Sequence, residues 1–287
     1  MIPSPGAHGG DGERVARALG IDVLDLSASL NPAAPDPRPV LARHLDAVGR
    51  YPDPSRATAA LADAIGVDRS RLLLTNGGAE AIALVSSALG GHVDEPEFGL
   101  LPRDNAGPRW RSNPNNPTGR LAEAAEMAGV WDEAFYPLAT GQWTRGDPAV
   151  VVVGSLTKLF ACPGLRLGYI LADDIEPFAR RQPHWSVGGV AAAAIPDFLA
   201  TADLAAWAAR IAALRDQLRA LLSPFAPQPA DANWLLCADA AGLRDRLAPH
   251  GVLVRDCASF GLPGYARVAV PDEAGLERLE AALRRLG

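Results

Sequence analysis

Cysteine is scarce in this chain: three residues in 287, at positions 162, 237 and 257. They are odd in number, far apart and match no metal-ligand spacing. That excludes a disulfide framework, leaves no metal site to expect and points to a reduced, cytoplasmic setting. No apolar run reaches the roughly eighteen residues that a membrane-crossing helix needs. The opening Met1-Ile-Pro-Ser-Pro-Gly-Ala-His8 has neither a basic nor an apolar targeting segment, so no leader is expected. Long runs of like charge are also missing, and the net charge is −6. Nucleic acid and anionic membranes are therefore not expected partners. Lysine is rare, and there are no internal repeats or low-complexity tails.

What is present is a hydrophobic fraction of 48%, enough for a large core in one or two domains. Short apolar runs alternate with amphipathic stretches, which predicts an α/β fold. Helices are expected over 12–19, 40–48, 57–65, 81–89, 121–127, 175–181, 190–199, 204–222, 240–247 and 273–286. Strands are expected over 22–26, 72–75, 130–131, 149–153, 167–171, 234–237, 252–254 and 266–270. Residues 91–110 read as polar and irregular, with no strand. From about residue 202 the pattern becomes a compact α+β unit.

The most informative stretch is Ser155-Leu-Thr-Lys158-Leu-Phe-Ala-Cys-Pro-Gly-Leu-Arg166. It follows the β-branched run Ala149–Val153. A lysine just past a strand end, between a hydroxyl and a guanidinium, suits a carbonyl cofactor that also carries a phosphate. The amine forms the Schiff base, while Ser155 and Arg166 are placed to hold the phosphate.

Four other segments can complete such a site. Asn76-Gly-Gly-Ala79 turns from a strand into a helix, and glycines with free helix amides suit a phosphate. Asn113-Pro-Asn-Asn116-Pro-Thr-Gly119 aims an amide from a proline-fixed turn. Asp132, after Val130-Trp131, can pair with a ring nitrogen and keep it protonated. Arg255 and Arg267 suit capture of carboxylate or phosphate. Each segment alone also reads as an ordinary turn, polar loop or solvated surface. A nucleotide site on the Gly77-Gly78 turn is disfavoured, since neither a Walker-type lysine nor Gly-x-Gly-x-x-Gly is present.

Taken in order, these segments resemble the pyridoxal-phosphate enzymes of the class I/II aminotransferase family. The resemblance runs from His8 to the last helix. Within the family the chain is most similar to the threonine-phosphate decarboxylases of the cobalamin pathway, with histidinol-phosphate aminotransferases as neighbours. The residues that carry this are His8-Gly-Gly10, Tyr51-Pro-Asp-Pro54, Asp132-Glu-Ala-Phe135, Trp185-Ser-Val187, Ala232-Asn-Trp234, Arg255-Asp-Cys-Ala258 and Tyr265-Ala-Arg-Val268.

The resemblance implies a large domain over 41–201, with a mixed, mostly parallel sheet and helices on both faces. Residues 1–40 would pack with a small C-terminal α+β domain over 202–287. It also implies pyridoxal 5'-phosphate as cofactor, with Lys158 and Asp132 catalytic. Gly78, Ala79, Ser155 and Arg166 would bind the cofactor phosphate, Asn116 the ring hydroxyl and Phe98 the ring face. Tyr51 would reach across a homodimer interface. His8, Asn31, Arg255 and Arg267 would bind a phosphorylated amino-acid or amine substrate.

The chain departs from the family between 91 and 132. Only 35 residues separate Glu80 from Asn116, and 15 separate Asn116 from Asp132. The large domain is expected to be abbreviated there, with Gly91–Glu95 replacing a strand. Decarboxylation, transamination and a non-catalytic role on a degenerate site all remain open.

Overall fold

The computed structural model describes residues 1–286. Six short strands build the main sheet: β2 (Leu72–Asn76), β3 (His92–Val93), β4 (Arg109–Ser112), β5 (Val130–Asp132), β6 (Val151–Ser155) and β7 (Leu167–Leu171). Their order is β2-β7-β6-β5-β4-β3. β3 to β6 are mutually parallel, and β7 runs antiparallel to both β6 and β2. The sheet is thus mixed and mostly parallel. Register pairs Ser112 with Asp132, Asp132 with Val153, Ser155 with Gly168 and Asn76 with Leu167. Four strand ends and the start of β7 therefore meet at one edge, where open α/β sheets place their ligands.

Side chains alternate between two cores, as a period of two requires. Trp110, Val130, Val153 and Ile170 pack against α4 (Gly77–Leu89) and α7 (Glu176–Ala179). Trp131, Val152, Tyr169 and Leu171 face α3 (Ser55–Ile65), α5 (Tyr136–Thr140) and α8 (Gly189–Ala200) on the other side. Both faces are covered, so the strands read as apolar runs.

Beyond the main sheet and its packing, counted together as the first core, a second core surrounds the antiparallel sheet of β8 (Trp234–Cys237), β10 (Arg255–Asp256) and β11 (Ala266–Ala269), in the order β10-β11-β8. α10 (Leu243–Leu247) and α11 (Glu273–Arg284) close it. The helix α9 (Leu204–Leu221) joins the cores with one apolar stripe. Trp207 and Ile211 enter the first, and Leu214 and Leu218 the second. Its first turn is capped by Asp203, which accepts from the Ala206 amide at 2.9 Å.

The N-terminal segment carries α1 (Gly12–Leu19), β1 (Leu24–Asp25) and α2 (Arg38–Ala42). β1 pairs in parallel with β9 (Val252–Leu253), and Leu26 enters the second core. A single-turn helix, α6 (Leu156–Leu159), holds Lys158 directly after β6. No single helix among the described residues is long and apolar enough to cross a membrane.

The stretch 91–132 departs from the sequence reading. Residues 91–110 contain two strands, β3 and the start of β4. The Gly91–Glu95 segment is the sheet's edge strand, not a replacement for one. Residues 121–127 are not helical. Leu121 donates to Asp231 at 2.9 Å and Ala122 to Asn113 at 3.0 Å. The connections into and out of β4 therefore lack helices. A charged layer covers that face instead. Arg109 and Arg111 both pair with Glu126, and Arg145 lies 4.8 Å from the centre of the Trp131 ring.

Candidate active site

The converging strand ends open into a cavity of about 390 Å³ between the two cores. Lys158 stands on its wall and is the sole lysine of the chain. Burial, reinforced by Arg267 and Arg166, lowers its amine to about 8, while Asp132 opposes the shift. Its amine lies 6.0 Å from the centre of the Phe135 ring. Asp132, the last residue of β5, is buried. Its carboxyl is raised to about 6 by burial, against the Ala134 amide and Lys158. One lysine near neutrality beside one buried acid is the pattern of a proton-handling site.

The helix α4 begins at the same edge, and its N-cap Asn76 makes no capping bond with its side chain. Gly77 has φ +79°, and a Cβ there would stand 2.6 Å from Arg166 Nη2. The positive φ favours glycine, and the missing side chain lets the guanidinium lie against the helix start. Gly78, Ala79, Ser155 and Arg166 thus form one anion cradle of amides, a hydroxyl and a cation.

Arg255 and Arg267 face each other directly across β10 and β11. Both are buried, and neither has an acidic partner among the described residues. Arg267 donates to Asn116 Oδ1 at 2.6 Å and to the Ser27 carbonyl at 3.2 Å, and it stacks on Trp234. Arg255 donates to the Ala7 carbonyl at 2.7 Å and lies over Phe260. Like charges directly opposite in a sheet destabilise it, so the arrangement calls for an anion. Seven buried side-chain polar atoms lack a hydrogen-bond partner among the described residues. Three of them, Ser29 Oγ, Arg255 Nε and Arg267 Nε, belong to residues lining this cavity.

Eleven of the thirteen residues singled out from the sequence line the cavity: His8, Gly78, Ala79, Phe98, Asn116, Asp132, Ser155, Lys158, Arg166, Arg255 and Arg267. Asn31 does not. Its amide donates to the Lys158 carbonyl at 3.1 Å, its side chain donates to the Leu159 carbonyl, and Oδ1 accepts from Ala33. These bonds grip the lysine segment. Tyr51 also lies outside the cavity, 79% exposed and packed on Trp185. Sequence reasoning missed Ser29, Ser112 and Phe135 as lining residues. It also passed over the strongest compositional signal, a single lysine among 27 basic residues.

A mixed sheet whose strand ends gather a buried lysine, a buried acid, a cradle of amides, hydroxyl and guanidinium, and two arginines without acidic partners has the make-up of the cofactor-dependent enzymes of amine chemistry. A model of the family "Aminotransferase class I and II" matches residues 110–283, and the chain belongs to that family. It is 31% identical to a threonine-phosphate decarboxylase of Salmonella typhimurium, over 98% of this chain and 96% of that protein. That alignment runs over 350 positions, more than the 287 residues here, so the relative carries residues this chain lacks. A histidinol-phosphate aminotransferase of Dechloromonas aromatica is 28% identical, over 94% and 93% of the two chains. The fold is shared with the histidinol-phosphate aminotransferase of Sinorhizobium meliloti, solved in complex with pyridoxal-5'-phosphate. There the TM-score is 0.79 at 20% identity, covering 96% of this chain and 94% of that one.

Proposed function

We propose that the chain is a pyridoxal-phosphate enzyme acting on a phosphorylated amino acid, with loss of CO2 from threonine phosphate as its reaction. The observation that carries this is the buried, acid-free pair Arg255 and Arg267 beside Lys158. Two separate guanidiniums suit a substrate with two anionic groups, a carboxylate and a phosphate. The 31% identity to a threonine-phosphate decarboxylase supports the choice.

The residues fit the cofactor. Lys158 would hold it through Nζ, and Asp132 would face the ring nitrogen. Asn116 would donate to the ring hydroxyl, with its Oδ1 already taken by Arg267. The cradle of Gly78, Ala79, Ser155 and Arg166 would take the phosphate, and Phe98 would line the ring face. When bound, the cofactor supplies a protonated ring that withdraws charge from the substrate α-carbon.

The chain's own groups do the rest. An amine lowered to about 8 is partly neutral at physiological pH, so Lys158 can accept and return a proton at Nζ. Arg267 orients the substrate carboxylate, and Arg255 with His8 orients its phosphate. By fixing the carboxylate, Arg267 and Arg255 would decide which bond at the substrate α-carbon is placed to break, the one to CO2 or the one to the proton that Lys158 Nζ would take. The family resemblance adds a homodimer, in which exposed Tyr51 reaches the partner's cofactor phosphate.

The test is a product assay on the cofactor-loaded protein with L-threonine O-3-phosphate and, separately, histidinol phosphate. CO2 release with 1-amino-2-propanol phosphate from the first is the expected result. Conversion of histidinol phosphate to the corresponding keto phosphate, with an oxo acid taking the amino group and no CO2 released, would replace it with transamination. No turnover of either substrate would refute both.

A further inference from the structure

The two connections flanking β4 lack helices, yet they carry Phe98 and Asn116 on the cavity wall. Parallel strands are ordinarily joined through a packed helix that fixes the crossover. Here one buried side chain ties the first connection to the end of β4 and, through Ser112, to the second. Glu97 is 2% exposed, and its carboxylate accepts from the Phe98 amide at 3.2 Å. It also accepts from the Ser112 amide at 3.0 Å and from the Ser112 hydroxyl. Ser112 Oγ in turn accepts from the Asn116 amide at 2.7 Å. Alongside, the Asn115 side chain donates to the Pro96 carbonyl at 3.1 Å.

The proton count gives this relay a direction. A hydroxyl has one proton and two acceptor lone pairs. The Asn116 amide occupies a lone pair of Ser112, so the hydroxyl proton needs an acceptor elsewhere, and Glu97 provides it. The Asn116 backbone is then fixed from one side, while Arg267 takes Oδ1 at 2.6 Å. Only Nδ2 remains free to donate into the cavity.

We infer that Glu97 is a positioning residue for the cofactor ring, acting through Ser112 to aim Asn116 and through its own carboxylate to seat Phe98. The inference rests on the proposed contact between Asn116 and the ring hydroxyl. Burial raises the Glu97 carboxyl to about 7, against the bonds from Ser112, Phe98 and Asn115.

A pH titration of the visible absorption of the cofactor-loaded protein tests this. A donor to the ring oxygen draws off charge that would otherwise hold the proton at the Lys158 nitrogen. Losing that donor raises the midpoint. Glu97→Gln and Ser112→Ala are each expected to raise it by about half a unit or more, which exceeds titration error. Neither change is expected to add a further rise to Asn116→Ala. An unmoved midpoint in Asn116→Ala overturns the Asn116 contact and the inference with it. A moved midpoint there, with unmoved midpoints in both Glu97→Gln and Ser112→Ala, overturns the Glu97 role alone. So does full additivity in the double variants. If Glu97→Gln does not fold, Ser112→Ala decides the matter, since it removes the relay and keeps the carboxylate.

Discussion

Lys158 stands where a charged amine is disfavoured. Its ordinary value of 10.5 falls to about 8 in the fold, so the unfolded chain binds that proton more tightly. Stability from this group is full above 10.5 and is lost as pH falls through about 8. Lys158→Met is therefore expected to abolish catalysis and to stabilise the cofactor-free protein by about 2–3 kcal/mol at neutral pH, read by urea unfolding. Gly77→Ala should do the reverse. Its φ of +79° strains an alanine, and the added Cβ, 2.6 Å from Arg166 Nη2, would displace that guanidinium. A loss of about 1–3 kcal/mol is expected, with at least tenfold weaker cofactor binding in a fluorescence titration. Lysine, aspartate and arginine of the site were legible as residues because their chemistry is rare in such a pattern. Glu97, Ser112 and Ser29 were not, because their roles come from burial and from partners far along the chain.

At the scale of elements, β4 shows where pattern reading fails. Arg109-Trp110-Arg111-Ser112 alternates as a strand should, but its outward face is charged where a helix would normally bring apolar cover. The run 121–127 has helical composition, yet it is irregular and tied across the chain to Asp231 and Asn113. Both errors follow from tertiary contacts overriding local propensity. The charged layer also makes a graded prediction. Arg111 is 13% exposed and pairs with Glu126, whereas Arg284 is 74% exposed and pairs with Glu280. Arg111→Ala should cost about 1–3 kcal/mol, from lost cover and an incompletely paired Glu126. Arg284→Ala should cost under about 0.5 kcal/mol. Equal urea midpoints for the two variants would show that the layer contributes no more than an ordinary surface pair.

The whole molecule carries three buried carboxyls raised by burial: Glu97 and Glu133 to about 7, and Asp132 to about 6. For a raised acid the stabilising contribution is complete below the unfolded value and is lost as pH rises through the folded one. The melting temperature of the cofactor-free protein should therefore fall between about pH 5 and 7.5. Pyridoxal phosphate should flatten that slope, because its ring nitrogen gives Asp132 a positive partner. An unchanged slope in a thermal scan would argue against that pairing. The α/β class was legible from the alternation of runs. The sheet order was not, because β7 lies between β2 and β6 through a crossover that leaves no local trace.

One measurement reaches the central claim directly, because the chain has a single lysine. Borohydride reduction of the cofactor-loaded protein, followed by peptide mass spectrometry, should place one stable cofactor adduct on the peptide containing Lys158. That adduct should be absent from Lys158→Met. An unmodified Lys158 peptide under saturating cofactor would contradict the reading of this cavity as a pyridoxal-phosphate site.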